Sequence, residues 1–224
     1  MIKAIAFDLD HTLFDRYGTL SSVIPEMLEK LPLSYDVEKS ATLLCDADKA
    51  EICYGWRAVF DRFVREGFFS RKIEFATYKD FLEDAFFRYA AKYPGVEEML
   101  DTLKAEGYKL AIVTNGYHAL QARKIEMIGF ADKFDLIVIS GDTAYRKPAK
   151  EIYELTAGKL GVSCKEMAFV GDNPETDIQG AYNAGCPAVW VRTTGVWHVE
   201  GLEKPEWQID SVCEMPALLA RVNK

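Results

Sequence analysis

Carboxylates, a hydroxyl and an ammonium recur in this 224-residue chain at or soon after the ends of short apolar runs. IKAIAF (2–7) opens onto Asp8-Leu9-Asp10-His11-Thr12, and KLAIVT (109–114) ends in Thr114 followed by Asn115-Gly116. Arg146-Lys147-Pro148 comes a short connection after LIVIS (136–140), and MAFVG (167–171) runs into Asp172-Asn173-Pro174-Glu175-Thr176-Asp177. Singly, each has an ordinary structural use: Asp172-Asn173-Pro174 suits a helix N-cap and Thr114-Asn115-Gly116 a turn. Together they put acids at the exits of two strands, where uncompensated carboxylates would repel one another. A divalent cation with hard oxygen ligands resolves that clash, and Mg²⁺ fits. Mg²⁺, a lysine, a strand-end hydroxyl and helix N-termini make a site suited to a phosphoryl group. Alternation along an extended segment sets Asp8 and Asp10 on one side with Leu9 on the other. Asp8 is then the candidate nucleophile and Asp10 the candidate proton donor and acceptor. The phrase is nearly repeated in Asp15-Arg16-Tyr17-Gly18-Thr19, but only the first copy follows an apolar strand and carries a second carboxylate.

Those residues need a scaffold that aims them one way. Five apolar runs (2–7, 109–114, 136–140, 167–171 and AVWVR, 188–192) read as buried parallel strands. Between the later ones lie helical patterns, VEEMLDTLKAEG, HALQARKIEMIG, KEIYELTAGKLG and ETDIQGAYNAG, each closing on glycine. Strand–helix alternation implies an α/β domain, whose ligands bind beyond the carboxyl ends of the strands. The stretch 16–92 breaks the rhythm. It has no convincing strand and three amphipathic helical segments rich in aromatics, so it reads as an all-helical insert with its own core. The expected division is residues 1–15 and 93–224 for the α/β core and 16–92 for the helical domain.

Composition narrows the partners. With 49% hydrophobic and 28% charged residues the chain is globular in type. A formal charge of −8 argues against a nucleic-acid polymer, and an anionic substrate would need local cations to attract it. The five cysteines are scattered, with no C-x-x-C pair, and suit buried positions in a reducing compartment. No run is long and apolar enough for a membrane span or a signal peptide, so a cytoplasmic protein is expected. No G-x-G-x-x-G follows the first strand, which disfavours dinucleotide binding.

Taken in order, these motifs resemble those of the haloacid dehalogenase (HAD) superfamily. Asp8–Thr12 is similar to its D-x-D-x-[TV] motif, IVTNG with Thr114 to its second motif, Lys147 in RKPAKEIYE to its third, and Gly171-Asp172 through Asp177 to its fourth. The resemblance runs from about Phe7 to Val191, interrupted by the insert. It implies a Rossmann-like three-layer α/β core with a mainly parallel sheet, and an inserted helical cap that covers the site and selects substrates. It also implies a phosphatase that hydrolyses a small-molecule phosphate monoester through an aspartyl-phosphate on Asp8, with Asp10 as general acid and base. Mg²⁺ would be held by the Asp8 carboxylate, the Asp10 backbone carbonyl and the Asp172 carboxylate, with Asp177 in an outer role. Thr114 and the adjacent backbone, at Asn115, would bind phosphoryl oxygens, and Lys147 would neutralise the nucleophile–phosphate pair. NGYHALQARKIEMIGFADKFDLIVIS is similar to the branch containing nucleoside-monophosphate phosphatases. Within the insert, Arg16, Tyr17, Tyr54, Trp56 and Arg57 are candidates for contacting the rest of the substrate, although packing explains each of them as well. His11 would shape its turn, and His118 and His198 have no expected catalytic role. The rival readings are a 2-haloacid dehalogenase, which would not need Asp10 or a metal, and a phospho-accepting or binding protein without turnover. A monomer and a homodimer are equally compatible with the sequence.

Overall fold

The computed structural model describes residues 1–193, 197 and 199–223; of Cys53 only the backbone is described. His198 therefore lies outside the described residues, as does the Cys53 side chain. The chain divides into two compact units, one formed by Met1–Asp15 with Lys92–Lys224 and the other by Arg16–Ala91.

In the first unit, the described residues form six strands: β1 (Ala4–Phe7), β2 (Lys109–Thr114), β3 (Leu136–Ile139), β4 (Met167–Gly171), β5 (Ala188–Val191) and β6 (Trp207–Ile209). They lie in the order β3-β2-β1-β4-β5-β6, and every pairing is parallel. The reversal of order falls at β1, so the crevice beyond the carboxyl ends of β1 and β4 is where such a sheet receives a ligand. β6 departs from the sequence reading. Three residues after GLEKPE, on the outer edge of the sheet, carry too little periodicity to mark a strand.

Short β-branched and small residues allow the sheet to be covered on both sides. Ala4, Ala6, Ala111 and Val113 pack with Ile152, Tyr153 and Ala157 of the helix Lys150–Leu160 and with Phe169 and Ile178. The alternate residues Ile5, Phe7, Leu110 and Ile112 are fully buried too, so the opposite face is also covered. The segment ETDIQGAYNAG, read as one α-helix, is split into a π-helical turn (Pro174–Gln179) and a short helix (Gly180–Ala184). The wider turn arises because the Asn173 carbonyl accepts from both Asp177 N (2.9 Å) and Ile178 N (3.4 Å).

Among the described residues the second unit holds four α-helices, Arg16–Lys30, Val37–Glu51, Trp56–Arg65 and Phe75–Arg88, and a 3₁₀ turn at Ile52–Tyr54. DADKAEICYGWRAVFDRFVREGF, read as a single helical segment, is interrupted at Gly55, whose φ of +89° only glycine adopts readily. The unit has its own aromatic core, in which Phe60, Phe63, Phe68, Phe69 and Tyr78 meet with ring centroids 4.1–6.2 Å apart. Among the described residues no helix is long and apolar enough to cross a membrane.

Candidate active site

β1 and β4 are neighbours, with Phe7 opposite Val170, so the next residues of both leave the sheet side by side. Asp8 N donates to Val170 O (2.8 Å), holding β1 in register up to its last residue, and the indole of Trp190 fixes the Asp172 carbonyl at 3.0 Å. The π-helical turn then swings Asp177 back towards both. Each of Asp8, Asp172 and Asp177 offers a carboxylate oxygen, and these oxygens lie within 4.8 Å of one another; all three residues are buried.

Gly171 makes this approach possible. A Cβ on residue 171 would run into the Asp177 carboxylate, which occupies that space. Asp177 is held from several directions: it accepts from Asn173 N (3.0 Å), Thr176 Oγ1 (3.3 Å) and Lys147 Nζ (2.7 Å). The resemblance implied an outer place for Asp177 around a metal. In the structure Asp177 pairs with Lys147, and its carboxylate lies as close to Asp8 and Asp172 as a shared metal site would need.

Lys147 is almost fully buried and bridges two carboxylates, donating also to Asp8 Oδ1 at 2.6 Å. Burial alone would pull its pKa down, but the Asp177 and Asp8 charges more than offset this and hold it above the ordinary lysine value. Asp8 moves the other way from a surface aspartate. Burial is the largest cause, Lys147 opposes it, Asp177 and Asp10 add repulsion, and the carboxyl is pushed up to about 7. Three buried carboxylates and one ammonium leave excess negative charge in a hard-oxygen donor set. That set fits Mg²⁺.

Thr114 and Asn115 stand at the end of β2, next to β1. The Thr114 hydroxyl is buried and accepts from Gln121 Nε2 at 2.5 Å. The backbone at Asn115 is the part expected at the phosphate, and its side chain is engaged elsewhere. Its Oδ1 accepts from Lys147 N and its Nδ2 donates to Lys147 O, both at 2.9 Å, clasping the backbone that carries the lysine. Gly116 turns the chain with φ +149° and accepts from Gly141 N while its own N–H donates to Ser140 Oγ.

Asp10 stands two residues beyond Asp8 in the tight loop Leu9–Phe14, closed by Phe14 N to Leu9 O (2.8 Å) and His11 N to Phe14 O (2.9 Å). His11 takes the left-handed φ of +62°, which bends the loop after Asp10. The Asp10 carboxylate accepts from Lys124 Nζ on both oxygens, at 2.7 and 2.8 Å, and from Gln121 Nε2 at 3.2 Å. Sequence reasoning passed over Gln121 and Lys124, because HALQARKIEMIG reads as a packing helix. The signal was there: they share the buried stripe of His118–Ile128 with Ile125 and Ile128, where polar residues are unusual.

In the helical unit, Arg16 is buried and makes a two-pronged pair with Asp48 (2.7 and 2.8 Å), its guanidinium 5.4 Å from the Trp56 ring centre and 5.2 Å from that of Phe86. That engagement explains the conformation of both Arg16 and Trp56 by packing. Arg57 pairs with Asp61 on the surface (2.9 Å), the Tyr17 carbonyl lies 3.8 Å from Cys45 Sγ, and Tyr54 is largely exposed. His118 lies on the surface of the α/β unit, paired with Asp142 at 2.7 Å.

Comparison with known proteins agrees with this geometry. Human N-acylneuraminate-9-phosphatase is 29% identical over 99% of this chain and 95% of its own length. The phosphoglycolate phosphatase of Neisseria meningitidis serogroup A is 30% identical over 96% of this chain and 92% of its own. The crystal structure of a HAD phosphatase from Thermococcus onnurineus superposes with a TM-score of 0.67 at 26% identity, covering 97% of this chain and 98% of that one. Residues 2–185 match the haloacid dehalogenase-like hydrolases, and the chain belongs to that family.

Proposed function

We propose that this protein is a Mg²⁺-dependent phosphatase that hydrolyses a small-molecule phosphate monoester through a covalent intermediate on Asp8. The observation that carries the reading is the buried cluster at the β1/β4 exits: Asp8, Asp172 and Asp177 share one locus, and Lys147 reaches both Asp8 and Asp177. The phosphatase relatives support the same reaction class.

Asp8, Asp172 and the Asp10 carbonyl would hold the ion, with Asp177 beside them; bound there, it supplies positive charge that neutralises the phosphoryl oxygens and the attacking carboxylate. Lys147 occupies Asp8 Oδ1 and leaves Oδ2 to attack phosphorus. As that P–O bond forms, the bond to the leaving oxygen breaks, and Asp10 delivers a proton to the departing alkoxide. A water, giving its proton back to Asp10, then attacks the phosphorus of the acyl phosphate. Inorganic phosphate leaves and Asp8 is regenerated. Thr114 and the backbone N–H groups after β2 are the candidate ligands of the phosphoryl oxygens, and the Asn115 side chain serves by fixing Lys147. The helical unit is the candidate substrate-selecting cap, and a cytoplasmic setting suits the free cysteines among the described residues, Cys45, Cys164, Cys186 and Cys213.

The test is phosphate release from nucleotides, sugar phosphates and phosphoglycolate with added Mg²⁺, with 2-chloropropionate as the dehalogenase control. Hydrolysis of phosphate esters that a chelator abolishes is expected. Asp8→Asn should lose roughly 10⁴–10⁶-fold in turnover with an unchanged circular dichroism spectrum. Phosphatase activity retained in Asp8→Asn, or chloride release in place of phosphate release, would overturn the proposal.

A further inference from the structure

We infer that Gln121 and Lys124 are positioning residues for the proton-transfer step, holding the Asp10 carboxylate in one orientation and tying it to Thr114. The inference rests on the phosphatase reading above and assigns it two residues outside the four motifs.

Both side chains lie on one face of the helix His118–Ile128, three residues apart, and both are more than nine-tenths buried. Lys124 Nζ donates to each Asp10 oxygen, at 2.7 and 2.8 Å, a charge-assisted pair that fixes the carboxylate plane better than a single contact would. The same ammonium lies 5.6 Å from the centre of the Phe14 ring, at the other end of the Leu9–Phe14 loop. Gln121 Nε2 spans the exits of β1 and β2 with one donor group, reaching Asp10 Oδ2 at 3.2 Å and Thr114 Oγ1 at 2.5 Å. The backbone is shaped around this amide. A Cβ at Gly116 would meet the Gln121 side chain at 2.9 Å, so the turn after Thr114 and the glutamine fit each other closely.

Burying an ammonium and an amide on the packing face of a helix costs free energy. A structural role would need only that their partners be satisfied. A positioning role predicts more: disturbing them should be felt where the departing oxygen needs a proton and little where it does not. A p-nitrophenolate leaves without protonation, whereas an alkoxide requires it.

The experiment compares p-nitrophenyl phosphate with a simple alkyl phosphate for the wild type, Lys124→Met, Lys124→Arg and Gln121→Met, with Mg²⁺ present. In Lys124→Met, kcat on the alkyl ester should fall at least ten-fold more than kcat on the aryl ester, with KM changed less than about three-fold. Lys124→Arg should recover part of that ratio, and Gln121→Met should shift it in the same direction by a smaller factor. Equal losses on both esters, or no loss, would overturn the inference while leaving the phosphatase reading intact. A wild type inactive on both esters would sink the phosphatase reading itself. Should Lys124→Met fail to fold, Gln121→Met and Lys124→Arg decide by the same ratio.

Discussion

Gly171 shows how much of the site depends on one missing methyl. It is the last residue of β4, just before Asp172, and the Asp177 carboxylate fills the volume its side chain would occupy. Gly171→Ala should therefore push Asp177 away from Lys147 and Asp8. The overpacking should cost about 1–3 kcal/mol. Mg²⁺ bound as proposed should raise the melting temperature of the wild type, and Gly171→Ala should shrink that rise; thermal melts with and without the ion check both effects. Residues of this kind divide by how visible they are. Asp8, Asp10, Thr114, Lys147 and Asp172 could be picked out because polar side chains at the ends of apolar strands contrast with their surroundings. Gln121 and Lys124 lack that contrast, since their partners lie 111 and 114 residues away at Asp10. The amide of Asn115 clasps the Lys147 backbone, a task that its type and place in the sequence do not announce.

Elements were legible where periodicity decides them and obscure where tertiary contacts do. The buried strands β1 to β5 and the helical character of the insert follow from local pattern. The break at Gly55 and the π-helical turn do not, because the first needs one positive φ and the second is drawn out by Asp177 reaching for its partners. The helical unit also holds a charge pair in its interior. Arg16 and Asp48 join the first two helices of that unit, with Trp56 and Phe86 beside the guanidinium. Asp48→Ala would strand a buried cation and is expected to cost about 3–5 kcal/mol. Arg16→Met combined with Asp48→Leu, which removes both charges, should cost less than Asp48→Ala alone. Urea denaturation of the three proteins checks the order.

At the level of the whole molecule, the −8 charge means that an anionic ester would have to be attracted locally. Acid stability is local too, and each unit has a reporter. Hydrogen bonds from Arg88 and Lys30 hold Glu26, in the helical unit, down from 4.5 to about 2. Lys3 and the Ser163 backbone and hydroxyl do the same for Glu166 in the α/β unit. A carboxyl held low in the folded state takes up its proton later than in the unfolded chain. Its contribution is therefore present above pH 4.5 and lost as pH falls towards 2. Melting temperature should decline across that window, and Glu26→Gln or Glu166→Gln should flatten the decline. Both groups lie near the surface, so the effect of each should also diminish in high salt.

The position of β1 bears on how the chain acquires this site during synthesis. β1 is a central strand, yet the earlier of its two neighbours starts only at Lys109 and the other at Met167. The whole helical unit, Arg16–Ala91, emerges from the ribosome before β1 has anything to pair with. Its contacts are short in sequence, the kind that form early, whereas those that assemble the carboxylate cluster are among the longest in the chain. The strand that leads into Asp8 must therefore wait, unpaired and apolar, until Met167–Gly171 has been made before both its edges are covered.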